Sequence, residues 1–193
     1  MKPIRILTVD DDPDFRYLLT QTLQGQPDLE LVAVCATAQQ ACSAAVRLQP
    51  DIVLMDLELP GSGTDGAEAA RSIRMQTPAR VLILTADDDP ATVIRASVYA
   101  FASGYVLKNQ ASLLLPTIRE TAAGPTPQSH LICAALMQTL TTAERSVLQQ
   151  MLGQEVQLHS SAKTIANQQT SVLHKLGLPD RQMLRHIFAA YLP

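Results

Sequence analysis

No run of 18 uncharged apolar residues occurs in this chain, so nothing in it reads as a membrane-spanning helix. Cysteine is scarce. Cys35, Cys42 and Cys133 are too few and too irregularly spaced for a disulfide framework, and they read as buried, reduced thiols. The opening Met1-Lys2-Pro3-Ile4-Arg5-Ile6 lacks the long apolar stretch and small-residue cleavage site of a signal peptide, so the expected compartment is cytoplasmic. Charge is sparse too, at 17% of residues against 47% hydrophobic, a balance that excludes a disordered chain and supplies a sizeable core. His130, His159, His174 and His186 include no pair three to five apart, which argues against a zinc site. No internal repeat or low-complexity tract is present.

What charge there is divides unevenly. Residues 1–124 carry ten Lys and Arg against fifteen Asp and Glu; residues 125–193 carry five against three. An acidic front and a mildly basic back point to different partners for the two parts, although a surplus of two positive charges is a weak nucleic-acid signal.

The first 120 residues alternate between strand-length apolar runs and helical periodicity. Ile4–Val9, Leu29–Val34, Asp51–Asp56, Arg80–Thr85 and Gly104–Leu107 read as five strands. Asp12 then Pro13 reads as an N-cap and first helical position, with Phe15, Leu18, Leu19, Thr22 and Leu23 on one face. Asp89-Pro90 opens another helix, aligning Val93, Ile94, Val98 and Phe101. Strict β–α alternation implies an α/β, doubly wound, five-stranded parallel sheet, with its working site at the carboxyl ends of the central strands. Gly124, Pro125 and Pro127 mark a boundary. The expected division is residues 1–122 for this domain, 123–139 for a linker in which His130–Gln138 forms a short helix, and 140–193 for a small all-α domain.

Polar residues gather at the strand ends. Strand one ends in Asp10-Asp11-Asp12, strand three in Asp56, strand four in Thr85, and strand five leads into Lys108. A lone Asp at a strand end is usually a cap or a solvated turn, and Asp12 and Asp14 are read that way. Four strand ends bearing complementary groups are another matter. Converging carboxylates repel one another unless a cation intervenes, and magnesium, a hard ion preferring oxygen ligands, suits such a pocket. A lysine and a hydroxyl opposite would hold an incoming phosphoryl group, and a carboxylate can itself be the nucleophile and form an aspartyl-phosphate.

Residues 1 to about 122 resemble the receiver domain of bacterial two-component response regulators, which implies a flavodoxin-like sheet. Val9-Asp10-Asp11-Asp12-Pro13-Asp14-Phe15-Arg16 is similar to the family's acidic opening, and Ile52-Val53-Leu54-Met55-Asp56-Leu57-Glu58-Leu59-Pro60-Gly61 to its phosphorylation segment. Leu84-Thr85-Ala86 resembles the switch strand and Gly104-Tyr105-Val106-Leu107-Lys108 the closing motif. The resemblance implies that Asp56 accepts phosphate from a sensor histidine kinase. It implies that Asp11 and Asp56 bind Mg2+ directly, with Asp10 acting through water and the Glu58 carbonyl contributing. Lys108 would pair with the phosphate, Thr85 would swing toward it, and Tyr105 would change rotamer. Two departures stand out: a loop over Gly61–Gly66 about two residues longer than usual, and the bulky Phe101 where the family favours a small residue.

In the tail, Thr141-Thr142-Ala143-Glu144 is a capping-box signature leading a helix with Val147, Leu148, Met151 and Leu152 inward. A second helix spans about Ser161 to Leu176, with Ile165, Val172, Leu173 and Leu176 inward and Gly177 as its stop; a third spans Asp180 to Tyr191. This part resembles the LuxR-type (NarL/FixJ class) helix-turn-helix domain, shortened by about five residues between Gly153 and Ser161. Gln169 stands where that family places an apolar residue, and Ala166 where it places a basic one. The resemblance implies DNA contacts from Lys163, Thr164, Asn167, Gln168 and Lys175, and homodimerisation through Met183, Leu184, Ile187, Phe188 and Tyr191. The leading expectation is a non-enzymatic transcriptional regulator. The alternative keeps the receiver and gives the tail a dimerisation or protein-contact role without DNA. Asp-nucleophile phosphatases share the sheet type but carry an Asp-x-Asp strand, where this chain has Asp56-Leu57-Glu58, so turnover of an external substrate is not expected.

Overall fold

The structure, a computed structural model, describes residues 2–59, 65–158 and 160–192. The strands are β1 Ile4–Val9, β2 Leu29–Cys35, β3 Ile52–Asp56, β4 Arg80–Thr85 and β5 Gly104–Leu107, in the order β2-β1-β3-β4-β5 with every pairing parallel. The observed strands differ from the expected runs by at most one residue at an end. Between them lie α1 Pro13–Gln24, α2 Ala38–Leu48, α3 Gly66–Gln76 and α4 Pro90–Tyr99, and α5 Leu114–Ala123 follows the last strand.

Alternation along the strands builds two cores. Leu7, Val9, Val53, Met55, Val81 and Ile83 face the alanine-rich α2 and α3, whose small side chains allow close approach. Ile6, Ile52, Leu54, Leu82 and Leu84 face α1 and α5 through Leu19, Leu23, Leu114 and Ile118. The caps are local and follow their residue types: Asp12 accepts from the backbone of Asp14 at 2.9 Å, and Asp89 from Thr92 at 2.9 Å. Two expected core residues are in fact exposed. Leu18 and Ile94 lie on the outer flanks of α1 and α4, beyond the stripe that meets the sheet.

The linker helix α6 runs from Pro127 to Met137, three residues earlier than expected. Proline that blocks continuation of α5 is well placed at the first position of a new helix, and Thr126 caps it in a reciprocal box with Ser129. Then come α7 Thr142–Met151, α8 Ala162–Leu176 and α9 Arg181–Phe188. Among the described residues between Met151 and Ala162 there is no helix, so the supporting helix of a complete helix-turn-helix is missing where the sequence is short.

The tail is built onto the receiver. One apolar cluster joins Ile132, Leu136, Val147, Leu148, Val172, Leu184, Ile187, Phe188 and Tyr191 to Phe101, with Met75 and Val98 at its margin. Arg74, fully buried on α3, donates to the carbonyls of Ala79, Phe101 and Ile187. Arg71 donates to Leu176 and Gly177 and lies over the Phe101 ring, 4.3 Å from its centre. His186 Nε2 lies 2.8 Å from the Arg74 carbonyl oxygen and 3.0 Å from that of Thr77, and Tyr191 donates to Ala102. The dimerisation surface expected on α9 is therefore not open in this arrangement. Leu184, Ile187, Phe188 and Tyr191 are at most 1% exposed and Met183 is half-buried, because that stripe lies in the core shared by the receiver, α6 and the tail helices.

Candidate functional site: an acidic cup at the strand ends

The parallel topology carries the carboxyl ends of β1, β3, β4 and β5 to one edge, and four expected side chains meet there. One carboxylate oxygen each of Asp10, Asp11 and Asp56 lies within 4.8 Å of the others. Lys108 Nζ reaches in from the end of β5, 2.7 Å from Asp10 Oδ2 and 2.8 Å from Asp56 Oδ2. Asp10 and Asp56 are buried and Asp11 is exposed, so the cup has a closed floor and an open lip. The open depression above it is lined by Asp11, Asp12, Asp56, Glu58, Asp65 and Lys108. Burial pushes the Asp56 carboxyl above its usual value and Asp10 adds to this, while the Lys108 ammonium opposes both. Burial alone would lower Lys108; the two carboxylates outweigh it and hold the ammonium above its ordinary range.

Local geometry holds the floor still. Asp10 Oδ1 accepts from the Asp12 N–H at 3.0 Å, and Asp56 Oδ1 from the Glu58 N–H at 3.3 Å. Behind the acceptor, a side chain at Gly66 would overlap the Asp56 carbonyl oxygen, so only glycine lets α3 start this close to β3. Thr85, fully buried at the end of β4, accepts from the Asp87 N–H at 3.0 Å, and its carbonyl receives the Lys108 N–H at 2.8 Å. Tyr105 is half-buried on β5, paired with Ile83. Glu58 lies at the lip. The lengthened loop falls largely on residues 61–64, outside the described residues; Asp65 caps α3 by accepting from the Glu68 N–H.

Two supporting residues had no role at this site assigned from sequence. Arg16 donates to the carbonyls of Asp10 and Asp11 at 2.7 and 2.6 Å, pinning the acidic loop, and the Phe15 ring lies under Lys108 Nζ at 4.6 Å. Both sit within the acidic opening, but their roles depend on the turn that brings α1 back over the loop.

Three carboxylates facing one ammonium leave the cup short of positive charge. The donor set is all oxygen, with one exposed member to admit an ion, so these residues fit Mg2+. Among the described residues this is the only cluster of its kind.

On α8, Lys163, Thr164 and Asn167 are exposed and Gln168 is half-buried. Lys175 is not free, since its ammonium lies 2.7 Å from Glu144. Three more tail cations are also engaged within the chain: Arg145 with the Met137 and Leu140 carbonyls, Arg181 with Gln150 and Met151, and Arg185 with Met151.

A doubly wound five-stranded sheet with this cup at its strand ends defines a receiver, the phosphoacceptor class of α/β module. The pattern of the response regulator receiver domain matches residues 6–119, and the chain belongs to the response regulator family. It is 33% identical over 189 residues to the nitrate/nitrite response regulator protein NarP of Escherichia coli (strain K12), covering 96% of this chain and 86% of that one. A solved LuxR-family two-component response regulator from Aurantimonas sp. SI85-9A1 is 35% identical with a TM-score of 0.60, over 71% of this chain and 97% of that one. Protein-glutamate methylesterase/protein-glutamine glutaminase 2 of Anaeromyxobacter dehalogenans (strain 2CP-C) is 39% identical over 95 residues. That match takes in 49% of this chain and only 27% of the methylesterase, and it lies within the receiver. Among the described residues no helix is long and apolar enough to cross a membrane.

Proposed function

We propose that this chain is a cytoplasmic, phosphorylation-controlled regulator of transcription, with Asp56 as phosphoacceptor for a sensor histidine kinase and a tail that acts on DNA as a homodimer. An Asp56 oxygen attacks the phosphorus of a phosphohistidine; the P–N bond breaks as the P–O bond forms, and the imidazole leaves with the electron pair. Asp10, Asp11 and Asp56, with the Glu58 carbonyl, would hold Mg2+, which supplies charge neutralisation for the phosphoryl oxygens. Lys108 then pairs with the phosphate, and Thr85 and Tyr105 respond as switch residues. Lys163, Thr164, Asn167 and Gln168 on α8 are the side chains offered to base edges and phosphates. Lys175 could join them only by leaving Glu144, and α9 could serve the dimer only after the tail leaves the receiver.

The observation that carries this reading is the Asp56 carboxylate at the end of β3, gathered with Asp10 and Asp11 and held by Lys108 at 2.8 Å. It is tested by incubating the chain with a small-molecule phosphodonor and Mg2+. Wild type takes up one phosphate and changes oligomeric state; Asp56→Asn does neither. Uptake by the Asn variant, or uptake without Mg2+, sinks the assignment. A gel shift of the phosphorylated chain against genomic fragments, at stated salt, tests the DNA step.

A further inference from the structure

β5 is an edge strand of the sheet, paired with β4 on one side only, and an edge leaves backbone groups in need of partners. One partner comes from the linker. The Tyr105 N–H donates to the side-chain carbonyl of Gln128, the second residue of α6, at 3.0 Å. Gly104 makes room for it, because a side chain there would overlap Gln128 Oε1 and crowd Leu82 at 3.1 Å. The strand is four residues long, and the next residue is Lys108, which holds Asp10 and Asp56. At its other end α6 buries Ile132, Cys133 and Leu136 in the core shared with Phe101 and the tail. One short strand therefore touches the phosphate site at its tip and meets the linker helix at its middle through the Gln128 side chain.

We propose that Gln128 is a latch: it fastens the linker helix to the open edge of β5, so that tail docking and the state of the acidic cup are coupled through this strand. The inference rests on the receiver reading above. Transfer of Lys108 from the Asp56 carboxylate to an incoming phosphoryl group shifts a strand too short to absorb the change, and the hydrogen bond to Gln128 passes the shift to α6. Coupling between two sites is reciprocal, so tail docking also biases the cup.

Amide hydrogen exchange of the full chain tests this with three proteins: wild type, Gln128→Leu, which keeps the bulk and loses the acceptor, and Gln128→Glu, which keeps an acceptor oxygen. Without ligand, the Leu variant should exchange about fivefold or more faster than wild type both in β5 and across α6–α9. The Glu variant should restore wild-type rates. Unchanged exchange in α6–α9 of the Leu variant overturns the latch. With Mg2+ and beryllofluoride, wild type and the Glu variant should gain protection at the strand ends and change exchange in α6–α9, while the Leu variant gains protection at the strand ends alone. A Leu variant whose tail responds fully, or a wild-type tail indifferent to the mimic, overturns the proposal. If beryllofluoride protects the strand ends of none of them, the phosphoacceptor reading fails, and the unliganded comparison still decides the latch. Should the Leu variant not fold, Gln128→Ser, too short to reach Tyr105, takes its place.

Discussion

Arg74 is the least expected side chain in the molecule. It is a fully buried guanidinium with no carboxylate on it among the described residues, satisfied by three carbonyls, two from the receiver and one at the end of α9. Burial lowers its pKa, yet a guanidinium stays charged, so its cost is met by charge-assisted hydrogen bonds. Arg74→Met should destabilise the chain by about 3–5 kcal/mol in denaturant titration, because three buried acceptors lose their donor. A loss under 1 kcal/mol would mean that water reaches the site. Phe101 completes the joint. It holds a left-handed φ of 53°, a conformation costing about 1–2 kcal/mol for a bulky residue, and inserts its ring into the tail core. Phe101→Ala should cost about 3–5 kcal/mol. Arg74 holds the backbone of Phe101 and both changes loosen the same joint, so the double variant should lose less than the sum.

At the level of elements, the α7–α8 pair is held by Glu144. Its carboxylate accepts from the Thr141 N–H and from the Ser171 hydroxyl at 2.7 Å, and lies 2.7 Å from Lys175 Nζ. Lys175 first, then Ser171 and the Thr141 backbone, draw its pKa down from 4.5 to about 2. A depressed acid contributes stability above its unfolded pKa, and that contribution fades as pH falls from about 4.5 toward 2. We expect about 1–2 kcal/mol from this group, allowing for solvent screening of the partly open Lys175. Glu144→Gln should lower the melting temperature at pH 7 and flatten its fall between pH 4.5 and 2.5. An unchanged acid limb would place the loss elsewhere. The capping box was legible in Thr141-Thr142-Ala143-Glu144 because a cap is read over four residues. The cross-helix role of Glu144 was not, since Ser171 and Lys175 lie some thirty residues on.

For the whole molecule, the shared core joins receiver and tail into one folding unit. The full chain should melt in a single calorimetric transition, whereas residues 1–124 alone expose Phe101, Met75 and Val98 and should melt lower. Two separated transitions in the full chain would show that the joint contributes little. DNA binding should carry the mark of the engaged cations. Arg145, Lys175, Arg181 and Arg185 all contact oxygens of their own chain, so few charges remain for phosphates. The plot of log K against log salt should slope by about −3 or less steeply per protomer. Anisotropy titrations with a steeper slope would show that those side chains leave their partners on binding.

The strands, the caps at Asp12, Asp89 and Thr141, and the convergence of Asp10, Asp11, Asp56 and Lys108 were all readable from the chain, because hydrophobic period and capping are local and β–α alternation dictates which strand ends become neighbours. Phe101 was visible as an oddity without a reason. Its reason is the tail, and contacts such as Arg74 with Ile187 or Tyr191 with Ala102 span about ninety residues or more, beyond any periodicity. Only the folded chain decides that α9 buries its apolar stripe in the core shared with the receiver and that Gln128 partners the edge of β5, since both depend on which surfaces meet once the elements have formed.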